Sequence, residues 1–462
     1  MTIPVAHALL IGRRDLPIPE WLFAWAAAVV LVVSFFALSL LWRRARFEDD
    51  TWRPAPAGLS RVVASSVTEF AAGLAGVFLL GVVFWSGTAG TDLPGLNFAP
   101  TFVFITFWLG VALLSVVLGD VFRALNPWRA IGRAYGWGIA RLTGAPWRPP
   151  LAYPERLGRW PAAVGLVAFA WLELVYGATE PAGLQPHVVA IAAAIYTAYA
   201  LAGMALFGTE VWVRRGETFS VYFEMFSRLA PLEVREGRLG LRRPLAATAG
   251  WATMPACLAI VVAAIGITAF DGAQEGVLNG GINGVSDALE GIGIGTTASF
   301  RLSATLFLLL AIGAIGGIYW AGVAGMRTVA GSPPLAELGR AFAHTLIPIA
   351  LAYLVAHYFS YLVFGEQAQF TYLLSDPLGN GSNYFGTVAA KIDYTALSST
   401  AIWYVQVAAL VAGHLTGLAL AHDRAIAIYG DPGRASRSQR WMLLVMVCFT
   451  CLGLFLLSQA NQ

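Results

Sequence analysis

Apolar stretches long enough to cross a bilayer recur along the whole chain, at 21–42, 62–86, 99–119, 160–178, 187–212, 245–270, 300–326, 340–364, 400–422 and 441–458. Each is near the ~20 residues that a helix needs to span the hydrocarbon core. The backbone must satisfy its own hydrogen bonds there, so each stretch predicts a helix. The fold class that follows is all-α: a polytopic integral membrane protein of about ten transmembrane helices, forming one transmembrane domain over 1–462. Ten spans divided five and five would give halves of opposite topology, as in many transporters. The two halves share no sequence likeness, however, and span 1 is an unbroken apolar run.

The polar segments between the spans alternate in charge. The loops after spans 1, 3, 5, 7 and 9 hold 25 of the 29 basic residues, all of them arginine. Only Arg13, Arg14, Arg301 and Lys391 fall on the other side. By the positive-inside rule the arginine-rich loops are cytoplasmic and both termini are outside. Two cytoplasmic loops, 120–159 and 213–244, contain aromatic-basic segments at 128–142 and 219–232. These read as interfacial helices with Tyr, Trp and Phe among the headgroups, or as docking elements for a membrane partner subunit. The outer loops are 271–299, glycine-rich and acidic, and 365–399, long and polar. The second has Tyr372, Tyr384 and Tyr394 to bury, which predicts an ordered cap.

Composition agrees with this pattern. Hydrophobic residues make up 58% of the chain and charged residues only 12%, against about 25% charged in soluble proteins. Lateral contact is with the lipid bilayer. The net charge of +3 is accounted for by the arginine loops, so no nucleic-acid partner is expected. Cys257, Cys448 and Cys451 all lie in apolar stretches and predict no disulfide framework. The first twenty residues lack a charged region ahead of their short apolar run and do not read as a cleaved signal peptide. No G-x-S-x-G, H-E-x-x-H or phosphate loop occurs.

Ionisable residues inside the apolar stretches are the candidate chemistry, because charge in the hydrocarbon is costly and marks function. Span 8 carries His344 and His357; span 9 carries His414 and His422. Counting depth at ~1.5 Å per residue places Glu173, His187, His357 and Gln406 in the outer leaflet. Imidazole and carboxylate together suit a divalent metal or a general base. The expected metal ligands are therefore His187, His357 and Glu173, and the expected catalytic residues Glu173, His357 and His414. His357 is expected to face the bundle interior, bonded to Glu173, Gln406 or His414. An inner set, Glu69, Asp120, Glu210, His344 and His422, sits near helix ends, where arginines such as Arg61 and Arg123 offer ordinary ion pairs. Haem b between His357 and His414 is a second reading. Two haems are not expected, because neither histidine pair stacks on one helix face. Copper on Cys448-Phe-Thr-Cys451 with Met442 and Met446 competes with plain helix packing.

Four blocks, GDVFRALNPWRAIGRA (119–134), RRGETFSVYFEMFSRLAP (214–231), LIPIALAYLVAHYFSYL (346–362) and GHLTGLALAHDRAIAIYGD (413–431), resemble a family of polytopic bacterial membrane proteins labelled fenitrothion hydrolase. The resemblance runs along most of the chain. It implies a bacterial inner-membrane enzyme that hydrolyses a lipophilic aryl phosphorothioate triester, and it implies no particular site residues. Joined to the outer His/Glu set, it predicts metal-assisted hydrolysis. Beside it stand a haem- or copper-binding redox subunit and a proton-coupled transporter using Glu173 and the histidines as a relay.

Overall fold

The computed structural model describes residues 20–460 and is almost wholly helical. Arg13, Arg14 and the two chain ends lie outside the described residues. Among the described residues nine helices are long and apolar enough to cross a membrane: Ala57–Ala89, Phe98–Leu118, Glu155–Thr179, Pro186–Phe207, Cys257–Gln274, Thr296–Met326, Leu335–Leu373, Ser399–Tyr429 and Pro432–Phe455. The helix Glu20–Leu41 precedes them, with a shorter apolar stretch at Trp25–Leu41. These ten match the ten predicted spans in order and are numbered accordingly. The protein is an all-α, multi-pass membrane protein.

Span 6 is the hub. It packs against spans 4, 7, 8 and 10, and 72% of its apolar window is buried, against 11% for span 2. Its start differs from the prediction, because 245–256 holds only turns and a short 3-10 turn, Thr248–Gly250, and the helix begins at Cys257. Pro255 pushes the residue before it out of helical geometry, and Leu245 and Ala256 both take positive φ. At the other end the helix runs on to Gln274. Asp271, read from the sequence as the first residue of an outer loop, is therefore in the last turn of a spanning helix. Most of that loop is helical too, at Asn279–Gly291.

Spans 8 and 9 form the most extensive helix pair. The sequence reason is Gly413 and Gly417, one turn apart on span 9. A Cβ on Gly413 would stand 2.3 Å from that of Ala352, and one on Gly417 would stand 2.9 Å from the Thr345 carbonyl oxygen. Small residues at this spacing let two membrane helices approach backbone to backbone. They set His414, between them, against span 8.

The cytoplasmic loops divide. The helix Pro127–Thr143 leaves Tyr135, Trp137 and Leu142 exposed, as a surface-lying helix does. The helix Thr218–Ser227 does not lie on the surface: Phe219, Tyr222 and Phe226 are buried, and Phe219 packs edge-on to Phe107 and Phe169. The aromatic spacing was read as a headgroup-facing stripe, but apolar and aromatic residues occupy every face of this helix. Glu217 caps it. Its carboxylate accepts the backbone N–H groups of Phe219 and Ser220 at 3.0 and 2.9 Å and the Asn126 side-chain amide at 2.7 Å. Burial nonetheless pushes its pKa above the ordinary glutamate value. Three short antiparallel strands, Arg53–Pro54, Leu232–Arg235 and Arg238–Leu241, close this side in the order first, third, second.

The outer loop after span 8 is tied down by hydrogen bonds. Asp376 accepts the backbone N–H groups of Asn380 and Gly381 at 3.1 and 2.7 Å. Ser375 Oγ accepts those of Phe385 and Thr387 at 3.1 and 3.3 Å. Tyr384 and Tyr394, expected to be buried, are exposed.

Candidate functional site

The outer polar cluster forms where spans 3, 4, 6 and 8 meet. Asp271 is its centre. Nε2 of His357 lies 2.8 Å from Asp271 Oδ2, and the Tyr358 hydroxyl donates to the same oxygen at 2.7 Å. Adjacent residues on a helix diverge by about 100°, so the imidazole and the phenol approach the carboxylate from two directions. Their rings meet edge-on at 4.5 Å. His357 thus turns inward, as expected, but the partner it takes is Asp271 and not Glu173, Gln406 or His414.

Glu173 is the second acid of the cluster. It lies near Asp271. Glu173 Oε2 is sealed from solvent and has no hydrogen-bond partner among the described residues. Glu173 sits in a π-helical turn, Leu172–Tyr176. A longer π-helical segment, Phe102–Gly110 in span 3, brings Trp108 edge-on to Tyr358 at 5.3 Å and to Phe169 at 5.5 Å. A π turn inserts a residue into the helical register, re-aims the side chains around it, and is frequent at functional sites. Two of them flank this one.

The expected metal set does not assemble. His187 is half-exposed at the start of span 5, where its Nδ1 lies 3.4 Å from Asp92 Oδ1. Among the described residues no three His, Cys, Asp or Glu side chains are placed to hold a metal ion together. Depth along a helix set His187 level with Glu173, but depth carries no information about direction around the bundle. The haem reading meets a similar obstacle. His357 Nε2 is taken by Asp271, and the cavity beside it measures about 20 Å³, room for roughly one water. Of the copper candidates, Met442 and Met446 are buried while Cys448 is exposed, so the two cysteines and the two methionines do not share one face.

His414 is fully buried between spans 8 and 9. Its Nδ1 lies 2.8 Å from the Leu410 carbonyl oxygen. A carbonyl only accepts, so Nδ1 carries the hydrogen and Nε2 is left as an acceptor. Nε2 has no partner. Its ring lies 6.1 Å from that of Tyr353. Gln406 is buried one further turn along.

Of the inner set, Glu69 and Glu210 join an ion network, Asp120 accepts the Arg123 backbone N–H at 3.3 Å, and His344 and His422 stand outside the network. Arg129, nearly buried, bonds Glu69 at 2.7 Å and Glu210 at 2.8 Å. Arg123 reaches Glu210 at 2.7 Å, and Arg133 also pairs with Glu69. Nearby, Glu224 is held by Arg159 at 2.5 Å and by Arg228. Burial opposes the charged form of Glu224, but the two guanidinium groups outweigh it and hold its pKa below the ordinary glutamate value. Asp423 accepts from the Trp42 indole at 2.8 Å and from the backbone N–H groups of Arg46 and Phe47 at 2.6 and 2.9 Å, which fastens span 9 to the end of span 1.

The residue that sequence reasoning missed is Asp271. The available signal was its position directly after an unbroken apolar run, DGAQ following AIGITAF; the helix extends one turn past the last apolar residue. No family model, no curated protein and no solved structure matches the chain.

Proposed function

We propose that the protein is a proton-handling membrane protein, a proton-coupled transporter in the bacterial inner membrane, with Asp271, His357 and Glu173 as its proton-binding site. One observation carries the reading: Asp271 Oδ2 is shared by His357 Nε2 and the Tyr358 hydroxyl within the helical bundle, with a second acid, Glu173, nearby. A carboxylate that accepts from an imidazole can exchange a proton with it along the hydrogen bond. Groups of this kind inside membrane helices form the proton relays of pumps and transporters. The arginine asymmetry supports an orientation with this cluster toward the outer face.

The test uses proteoliposomes loaded with a pH-sensitive dye and given an imposed pH gradient. Vesicles containing the protein dissipate the gradient faster than empty ones, and Asp271→Asn removes the difference. Equal dissipation by wild-type and empty vesicles contradicts the reading.

The Asp271–His357 pair also favours a second reading. A histidine oriented by a carboxylate is the arrangement of a general base, and His357 Nδ1 is the ring nitrogen nearest Gly272, with which it lines the water-sized cavity. A water there could be activated by His357, in keeping with the family resemblance, and a phosphotriester would have to approach from outside the cavity, which has room for the water alone. Turnover of an aryl phosphotriester that survives chelation and is lost in Asp271→Asn supports this alternative; no turnover by purified wild-type protein removes it.

A further inference from the structure

We infer that Glu217 is a second proton-binding site, set at the middle of the membrane where the N-termini of two part-spanning helices meet. It goes beyond the proton-site reading above, in a part of the chain which that reading does not use.

The loops at 120–159 and 213–244 do not stay on the cytoplasmic surface. Span 5 is the helix Pro186–Phe207, and its two central residues hold both loops. The Tyr196 hydroxyl donates to Glu217, and the Trp128 indole donates to Thr197 at 2.9 Å. Ten residues of helix at ~1.5 Å each put this level ~15 Å from either end of the span, the middle of a hydrocarbon core ~30 Å thick. Span 2 agrees: a Cβ on Gly76, ten residues into the helix Ser66–Ala89, would strike the Leu125 carbonyl oxygen. Both loop helices then descend. Leu232, beyond Thr218–Ser227, packs on Gly119 at the inner end of span 3. Leu151, beyond Pro127–Thr143, donates to the Leu206 carbonyl at the inner end of span 5 at 3.1 Å. The exposed aromatics of Pro127–Thr143 all lie in its later turns.

Glu217 is fully buried, and no cation among the described residues pairs with it. Its four donors are the Phe219 and Ser220 N–H groups, the Asn126 amide and the Tyr196 hydroxyl, all of them neutral. Asn126 is itself the N-cap of Pro127–Thr143 and accepts the Arg129 N–H at 2.8 Å. One carboxyl group therefore stands between two helix N-termini. Helix ends of that sign favour negative charge, and interrupted membrane helices use them at the midplane to hold anions. Here the chain supplies the anion. Protonating an acid held by arginine leaves a buried cation unpaired, which is costly. Protonating Glu217 leaves only dipoles, so it can gain and lose a proton without breaking an ion pair. Thr218 Oγ1, buried at the same helix end, has no partner among the described residues, so that end is not saturated.

In the step itself an O–H bond of a hydronium ion breaks, one forms on Glu217, and the carboxylate charge is cancelled. The titratable groups facing it are the phenols of Tyr196 and Tyr199, the latter donating to the Gly216 carbonyl at 2.7 Å. Arg129 and Glu210 are engaged with each other. Spans 3 and 4 present Phe107, Phe169 and Gly165 to this helix end.

The experiment is an infrared pH titration of the purified full-length protein in detergent, over the pH range in which its melting temperature holds. A carboxyl band that is lost in Glu217→Gln and kept in Asp271→Asn should titrate together with a tyrosine ring band. Tyr196→Phe removes one donor to the charged form and should raise the midpoint of that band by about one pH unit, because such bonds favour the ionised acid. A spectrum in which no carboxyl band responds to Glu217→Gln overturns the inference. If that variant does not fold, carboxyl midpoints that are all unmoved in folded Tyr196→Phe overturn it instead. The readout does not depend on transport. A Glu217 band in protein whose vesicles fail to dissipate a gradient would uphold this site and reject the transporter reading, and dissipation without such a band would do the reverse.

Discussion

The inner and outer polar clusters use the same acidic residue types and differ in what holds them. At the inner end Glu69, Glu210 and Glu224 are all met by arginine, a cation that does not lose its proton. Glu69 and Glu210 keep about a third of their side chains open to solvent. Such a network fixes the positions of helices and has no second state to move to. At the outer end Asp271 is met by an imidazole, a phenol and the Gln274 amide, and one oxygen of Glu173 has no hydrogen-bond partner among the described residues. An imidazole has both a neutral and a charged form, whereas a guanidinium keeps its proton. An intramembrane acid is thus to be judged by its partner: arginine points to architecture, imidazole to proton traffic.

The comparison is broken most sharply by Asp271→Asn. The amide keeps the shape and cannot take up a proton. Gradient dissipation should fall about a hundredfold, the scale on which a positioned acid or base contributes, while thermal unfolding in detergent changes little. Arg129→Met should do the opposite. It removes the cation between Glu69 and Glu210 and should lower stability by about 2–3 kcal/mol, short of a fully buried pair because both acids still reach water. Dissipation per folded molecule should be retained. If Arg129→Met abolished flux at full stability, the division between the clusters would fail.

Gly413→Leu tests the scaffold that carries His414. Its side chain meets Ala352 and the Pro348 carbonyl. Overpacking of this kind costs about 1–3 kcal/mol, read as a lower melting temperature. The smallest effect concerns acid stability. The folded pKa of Glu224 lies below its ordinary value, so the unfolded chain binds more protons between the two. Glu224 therefore contributes stability that is fully present above the ordinary glutamate pKa and is lost as pH falls through the lowered one. Glu224→Gln should flatten the acid limb of melting temperature against pH and leave the neutral region nearly parallel to wild type.

Much of the fold could be read from the chain. Apolar run length located ten helices because the bilayer imposes one length on all of them, and the arginines that mark one side also pair there as expected for the inner set. The boundary of span 6 was missed because Pro255 shortens it at one end and a polar helical turn extends it at the other. That single turn decides the site, since it moves Asp271 from a loop into the bundle. His357 was legible as an inward-facing residue because Tyr353 and Tyr361 flank it one turn away on either side. Its partner was not legible, because depth was the only coordinate available and azimuth decides contact. The same gap grouped His187 with Glu173. The π turns around Glu173 and Trp108 have no local sequence signature.

The most direct test of the central claim is an infrared pH titration of the purified protein, reading the stretching band of protonated carboxyl groups. If Asp271, His357 and Glu173 form a proton site, a carboxyl band appears and disappears reversibly with pH together with a histidine ring band. Asp271→Asn then abolishes the coupled change, whereas Glu69→Gln leaves it intact. A wild-type spectrum with no titrating carboxyl band, or one that survives unchanged in both Asp271→Asn and Glu173→Gln, would contradict the account.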